Sequence, residues 1–259
     1  MNWQAVGFQV FPPEAAVEDW AASVRDAALA AAADHAAREE WLRHGGTWFV
    51  GVDALPNGPD GRVGDGPALG GAAFDTAIGA TGVSRLHRAQ ISVTYPGYPR
   101  RDADESEAAH RFRRRRDGAH LDGLLAEGPQ RRRHLREAHA WILGIALTAA
   151  EAGAAPLVVW EGSHHVIRRS FEAAFARIPA HDWGDVDVTE TYKAARAQVF
   201  AHCKRVEVPL AVGETVLLHR MAIHGVAPWA EGARAAPEGR VIAYFRPCFA
   251  TPEAWLTLP

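Results

Sequence analysis

A chain of 259 residues with 48% apolar side chains is long enough to bury a sizeable core as one large domain. Its net charge of −3, from 28 basic and 31 acidic residues, gives no reason to expect nucleic acid or an anionic membrane as partner. Two cysteines, Cys203 and Cys248, are too few for a disulfide framework, and we see no secretory signal or apolar membrane span. We therefore expect a cytoplasmic protein.

The first hundred residues predict a strand, a long helix and a second strand. Residues 3–11 alternate apolar and polar side chains and predict a short strand. Residues 14–43 are rich in Ala, with apolar positions at helical spacing, which predicts a long helix ended by Gly45-Gly46. The glycine-rich stretch 54–72 predicts a loop, and residues 87–95 alternate like a half-buried strand.

Residues 100–116 are polar and end in a run of four arginines. One interpretation is a solvated surface with balanced charge. The other is a basic rim that attracts an acidic substrate.

The second half of the chain predicts mainly short strands. Apolar runs at 140–148 and 156–162 are followed by two helical patterns, and then by RVEVPL, TVLLH and RVIAYF. Regularly spaced short strands after a helical N-terminal part are typical of an α+β fold whose core is a sandwich or barrel. We see no repeat and no shift in composition, so the chain is predicted to be a single domain over 1–259.

The segment Asp117-Gly-Ala-His120-Leu121-Asp122-Gly123 carries a candidate metal site. In a strand, residues i and i+2 project on the same side, so His120 and Asp122 can reach one ion while Leu121 faces away. Two imidazoles and one carboxylate suit divalent iron and leave coordination positions open. Such an H-x-D pattern is weak alone, because about one match is expected by chance.

A third ligand is available downstream, where a turn at Gly213-Glu214 leads into an apolar strand and His224-Gly225. His219 is the competing histidine. Arg240 opens the last strand, where a guanidinium could bind a dicarboxylate bidentately, and Arg234 competes for this role.

In this order, the motifs resemble the phytanoyl-CoA dioxygenase-like family of iron and 2-oxoglutarate oxygenases. The resemblance includes His120-x-Asp122, the segment PLVVWEGSHH, His224-Gly225 and Arg240, and is closest from 117 to 247. It implies a double-stranded β-helix (a jelly-roll, cupin-like core) at about 87–250, preceded by a strand and helix at about 3–45 and interrupted by inserted helices.

The resemblance also implies the chemistry of the site. His120, Asp122 and His224 would bind Fe(II), Arg240 would pair with the 5-carboxylate of 2-oxoglutarate, and Trp141 would lie near the cosubstrate. His224 precedes a Gly-x-x-Pro turn, as the family's distal ligand does, which favours it over His219. O2 and a small organic substrate would then give a hydroxylated product, succinate and CO2. Related halogenases lack the carboxylate, so Asp122 favours hydroxylation.

Two alternatives stay open at this point. One is a cupin-like metalloenzyme that does not use 2-oxoglutarate. The other is a non-catalytic jelly-roll binding protein, which would be expected to have lost a metal ligand.

Overall fold

The computed structural model describes residues 2–259, which form a mixed helix and sheet fold with antiparallel strand pairing. The strands are β1 (Phe8–Phe11), β2 (Leu42–Arg43), β3 (Trp48–Phe49), β4 (Gln90–Thr94), β5 (Leu124–Glu127), β6 (Arg132–Leu135), β7 (Trp141–Ala146), β8 (Leu157–Glu161), β9 (Lys204–Val208), β10 (Thr215–His219), β11 (His224–Val226) and β12 (Arg240–Phe245). The α-helices are α1 (Trp3–Val6), α2 (Ala15–Ala33), α3 (His35–Trp41), α4 (Ala72–Thr81), α5 (Glu107–Arg116), α6 (Ser163–Phe175), α7 (Thr189–His202) and α8 (Pro252–Thr257), and a 3₁₀ helix spans Ala180–Asp185.

Two sheets form the framework of the site. The larger has seven strands in the order β1-β10-β7-β12-β4-β3-β2, and the smaller has the order β11-β8-β9. The strands β5 and β6 form a separate two-stranded hairpin.

Alternation along the strands divides the core into two layers. On β12, Ile242 and Tyr244 belong to an apolar cluster that also contains Leu157 and Val159 of β8, so the two sheets face each other across it. Val241, Ala243 and Phe245, which alternate with them, belong to a second cluster, on the outer face of the large sheet.

Helices cover the outer faces of both sheets. Trp20 of α2 packs on Phe245 with ring centroids 5.6 Å apart, and α4 also lies on the large sheet. On the small sheet, Trp160 of β8 packs on Phe200 of α7 at 5.3 Å. The resulting order is helix, sheet, sheet, helix, which confirms the α+β prediction.

The structure corrects two predictions near the N-terminus. Residues 3–11 are not one strand: α1 precedes β1, because the Asn2 side chain accepts a hydrogen bond from the Gln4 amide and Gly7 ends the helix with φ of 97°. Residues 14–43 are not one helix either. Asp34 is extended and caps α3 by accepting from the Ala37 amide, so the chain bends there.

The charged segment 100–116 contains helix α5, which we did not predict, and the hairpin of β5 and β6 was also missed. The strands predicted at 87–95, 140–148 and 156–162 are confirmed as β4, β7 and β8. No helix within residues 2–259 is both long and apolar enough to cross a membrane.

Candidate metal centre

His120, Asp122 and His224 meet at one end of the space between the two sheets. Their potential ligand atoms all lie within 4.8 Å of one another. Nε2 of His120 is 3.1 Å from Oδ1 of Asp122, and Nε2 of His224 is 3.8 Å from Oδ2. One ion could therefore contact all three side chains.

Hydrogen bonds fix the orientation of both imidazole rings. Nδ1 of His120 lies 3.1 Å from the Gly118 carbonyl, and Nδ1 of His224 lies 2.9 Å from the Ala222 carbonyl. Because a carbonyl only accepts, each Nδ1 must carry the proton, which leaves each Nε2 lone pair available to a metal.

The two histidines are neighbours because their backbones pair directly. The His120 amide donates to the His224 carbonyl at 2.8 Å, and the His224 amide donates back at 3.1 Å. A Cβ at Gly225 would lie 2.2 Å from the Asp117 carbonyl oxygen, so only glycine allows the ligand segments to approach this closely.

Contacts on both sides hold the first ligand segment in place. Arg205 of β9 binds both carboxylate oxygens of the buried Asp117 at 2.7 and 2.8 Å. The Leu121 amide donates to the Tyr192 hydroxyl at 3.1 Å, and the Leu121 side chain is buried in the outer core, away from the metal site, as predicted.

Charge favours a cation at this position. Burial by itself would raise the pKa of Asp122, but its neighbours, with the Arg246 guanidinium first among them, outweigh it and hold that pKa well below its usual range. Burial lowers the pKa of His224 to about 4, so this ring is neutral near pH 7. An ionised carboxylate and a neutral imidazole are the forms that bind divalent metals.

Arg246 is the functional residue that sequence reasoning missed. Its Nη1 donates to Oδ2 of Asp122 at 3.1 Å, and its Nε is buried without a hydrogen-bond partner among residues 2–259. The sequence held a signal, because Arg246 directly follows β12 and continues the inward alternation of Ile242 and Tyr244.

A cavity of about 170 Å³ opens beside the three candidate ligands. The His120 side chain is 41% exposed, so this end of the cavity is accessible to solvent. The volume lies below the range of about 300–1,000 Å³ that is typical of drug-sized ligands. Its walls are mainly apolar, with a few polar groups: Trp48, Val50, Val52, Ile142, Leu157, Gln90, Ser92 and Tyr244.

The two candidate arginines lie in different environments. Arg240 is 3% exposed and lies on the inward face of β12, paired in register with Thr94. Its Nη2 and the Thr94 hydroxyl are buried without a hydrogen-bond partner in the described chain. Arg234 is exposed in the loop before β12. The geometry therefore favours Arg240 as the buried cation.

Two other predicted or competing residues lie elsewhere. Trp141 faces the outer side of the large sheet, where it packs against Phe74 at 5.9 Å and donates to the Val83 carbonyl at 3.3 Å. Trp141, predicted to lie beside the cosubstrate, is therefore not among the residues that line the cavity, whereas its neighbour Ile142 is. His219 is buried against His164 and does not belong to the group formed by His120, Asp122 and His224, so the geometry favours His224 as the third ligand.

Comparisons with known proteins support the fold. No protein-family model and no curated protein matches this chain. Solved structures do match, including the non-heme alpha ketoglutarate dependent carbocyclase SnoK from nogalamycin biosynthesis, at 16% identity over 95% of this chain and 81% of that one, with a TM-score of 0.50.

Two further structures superpose less closely. AviO1 from Streptomyces viridochromogenes Tue57 is 17% identical over 96% of this chain and 93% of that one, with a TM-score of 0.40. EctD from S. alaskensis, solved with 2-oxoglutarate and 5-hydroxyectoine, is 15% identical over 95% and 73%, with a TM-score of 0.43. At these identities the likeness concerns the fold, and membership of the phytanoyl-CoA dioxygenase-like family stays a prediction.

Proposed function

We propose that this protein is an Fe(II)- and 2-oxoglutarate-dependent oxygenase of the phytanoyl-CoA dioxygenase-like kind, with a jelly-roll core, that hydroxylates a small organic substrate. The observation that carries the proposal is the meeting of His120, Asp122 and His224, with all three ligand atoms free to face one ion. Three protein ligands leave positions open for a cosubstrate and O2.

The donor set fits iron. Two neutral imidazole nitrogens and one carboxylate form the facial arrangement typical of non-heme Fe(II) oxygenases, and cysteine, which would favour zinc or copper(I), is absent from the group. Arg246 takes one Asp122 oxygen, which leaves the other for the ion.

The inward face of the large sheet fits a dicarboxylate. Arg240 and Thr94 offer a buried guanidinium nitrogen and a buried hydroxyl, both without partners in the part of the chain described. Leaving such groups unpaired costs about 1–3 kcal/mol each, so a carboxylate that reached them would be stabilised. We assign this role to Arg240 and propose that its partner is the 5-carboxylate of 2-oxoglutarate.

The iron, when bound with 2-oxoglutarate and O2, would supply the oxidising chemistry, with succinate and CO2 as co-products. The chain's own residues would hold the geometry. His120, Asp122 and His224 would bind the ion, while Trp48 and its apolar neighbours would form the wall of the substrate cavity. Asp122, by occupying a position that halide would otherwise take, favours hydroxylation.

A metal-binding experiment tests the proposal without a known substrate. Anaerobic Fe(II) followed by 2-oxoglutarate should give a visible charge-transfer band, and Asp122→Ala should lose both iron binding and the band. Arg240→Met should still bind iron but should need a much higher concentration of 2-oxoglutarate to give the charge-transfer band. Asp182→Ala, which changes an exposed carboxylate on the 3₁₀ helix that does not belong to the group, serves as the control.

Succinate release across a panel of small substrates then tests catalysis. If Asp122→Ala released succinate at the wild-type rate, the assignment of Asp122 as a metal ligand would be excluded. Tight metal binding with no response to 2-oxoglutarate would instead favour the cupin-like alternative that does without this cosubstrate.

A further inference from the structure

A second cavity, of about 280 Å³, lies next to the metal cavity and shares Val52 and Arg246 with it. Its walls include His139, Glu137 and Cys248, none of which has a role in the proposed oxygenase site. The proposed function therefore leaves the chemistry of this cavity unexplained.

His139 is the buried centre of this group, at 4% exposure. Its Nδ1 lies 2.8 Å from the Arg246 carbonyl and 3.5 Å from Sγ of Cys248. Its Nε2 lies 3.2 Å from Oε2 of Glu137, at ion-pair distance, but forms no hydrogen bond of good geometry within residues 2–259.

These partners favour a positively charged imidazole. The Arg246 carbonyl can only accept, so Nδ1 must carry a proton. The Glu137 carboxylate favours a second proton on Nε2. Although burial by itself lowers the pKa of His139, its contacts with Cys248 and Glu137 and the charge of Asp122 outweigh that effect and raise the pKa to about 9.

Cys248 lies beside this cation and is exposed, whereas Cys203, the other cysteine, is half-buried at the end of α7. The cysteines are both free thiols. Burial raises the pKa of Cys203, so Cys203 provides an unactivated thiol in the same molecule.

We propose that Cys248 is a thiol-modification site, in which the His139 imidazolium stabilises the thiolate and the adjoining cavity admits a small electrophile such as a hydroperoxide. An imidazolium next to a cysteine is one of the environments that produce a reactive thiolate in proteins. The thiolate carries the reactivity and His139 is a positioning and charge-stabilising residue.

A hydroperoxide would oxidise the Cys248 thiolate in one two-electron step. The Cys248 sulfur attacks one peroxide oxygen, the S–O bond forms and the O–O bond breaks. Sulfur is oxidised by two electrons to the sulfenic acid, and the hydroperoxide is reduced to an alcohol, or to water when the reagent is hydrogen peroxide. The leaving oxygen takes its proton from solvent, and His139 stays protonated.

Other charged groups face the same cavity and set its field. They are Asp53, Arg85, His87, Glu137 and Arg246. Burial lowers the pKa of His87, so it adds no charge near pH 7. Arg85 and Arg246 are the remaining cations and Asp53 and Glu137 are the anions, so these charges oppose one another, and His139 is the charged group in contact with the sulfur.

Alkylation by iodoacetamide, followed for each cysteine by mass spectrometry at pH 7, tests the proposal on the intact protein. We expect Cys248 to react at least about tenfold faster than Cys203 and faster than N-acetylcysteine. His139→Gln, which keeps a donor for the Arg246 carbonyl but carries no charge, should slow Cys248 about tenfold and leave Cys203 unchanged. His87→Gln, at the same cavity but without a contact to Cys248, is the matched control.

A second arm uses hydrogen peroxide followed by dimedone, which should label Cys248 and not Cys203. If His139→Gln fails to fold, Glu137→Gln replaces it, since Glu137 is 45% exposed on its side chain, and should slow Cys248 about threefold. A Cys248 rate equal to that of N-acetylcysteine, or one that neither variant lowers, would overturn the proposal.

Discussion

Gly225 offers the sharpest test of how the metal centre is built. Its φ lies outside the left-handed region, so alanine would be free of backbone strain and the cost of Gly225→Ala would be steric alone. The added Cβ would lie 2.2 Å from the Asp117 carbonyl oxygen and 3.2 Å from Cα of Ala119. Since carbon and oxygen need about 3.3 Å, the two segments must separate by about 1 Å.

The cost follows from the hydrogen bonds that this separation stretches. His120 and His224 exchange two backbone bonds, and the Val226 amide donates a third to Asp117 at 2.9 Å. At about 1 kcal/mol for each of the three bonds, with about 1–3 kcal/mol for overpacking, we expect Gly225→Ala to lower the free energy of unfolding by about 4–6 kcal/mol. A shift of this size between the two imidazoles should also weaken metal binding about 10–100-fold.

Urea unfolding, followed by tryptophan fluorescence, measures the first effect, and Co(II) titration measures the second. Gly79→Ala is the matched control, because Gly79 lies within α4 with no atom within 4 Å of an added Cβ. That control should be neutral or slightly stabilising. A Gly225→Ala protein with wild-type stability and Co(II) affinity would refute the argument that close backbone contact sets the ligand geometry.

Three further outcomes test other parts of the structure. Arg220 is fully buried and donates to carbonyls of the C-terminal segment, so Arg220→Met should lower the free energy of unfolding by about 3 kcal/mol and expose α8 to proteolysis. His164 has a pKa lowered to about 4 by burial and is neutral when folded, so the unfolded chain takes up more protons below its usual value of 6.5. Wild type should lose about 2 kcal/mol more than His164→Gln as the pH falls from 8 to 5 in urea unfolding. Arg246→Met should lower the free energy of unfolding of the metal-free protein by about 3 kcal/mol, because the buried Asp122 loses its cation. Saturating Co(II) should reduce this difference in unfolding free energy between the variant and wild type in the same assay.

The sequence predicted the strands correctly where a run of consecutive apolar residues is buried. The apolar runs at 140–148 and 156–162 became β7 and β8, because a strand with both faces covered needs few polar residues. The prediction of one helix over residues 14–43 was wrong because the apolar pattern does not mark the bend. Its helical pattern continues through Asp34, and only the cap to the Ala37 amide shows that a second helix starts there.

Helix α5 was missed because it buries almost nothing. Its last turn carries four arginines, which favour the C-terminal end of the helix dipole, and Ser106 caps its start by accepting from the Ala109 amide. These residues mark the two ends of a helix but do not form a periodic apolar face, so the hydrophobic pattern of the sequence does not reveal α5.

The candidate site shows the same contrast between information that is local in the sequence and information that depends on distant residues. The spacing of His120 and Asp122 is a local property, so the chain alone indicates that they share a side. Their meeting with His224 depends on a backbone contact across about a hundred residues, which only the order of the motifs suggested. Arg246 needed both kinds of information. The alternation along β12, continued by one residue, predicts that Arg246 points inward, but its contact with Asp122 depends on where the segment around residue 122 lies in the fold. Strand alternation can therefore suggest that an arginine is buried, but only the folded chain shows that it pairs with a predicted carboxylate ligand.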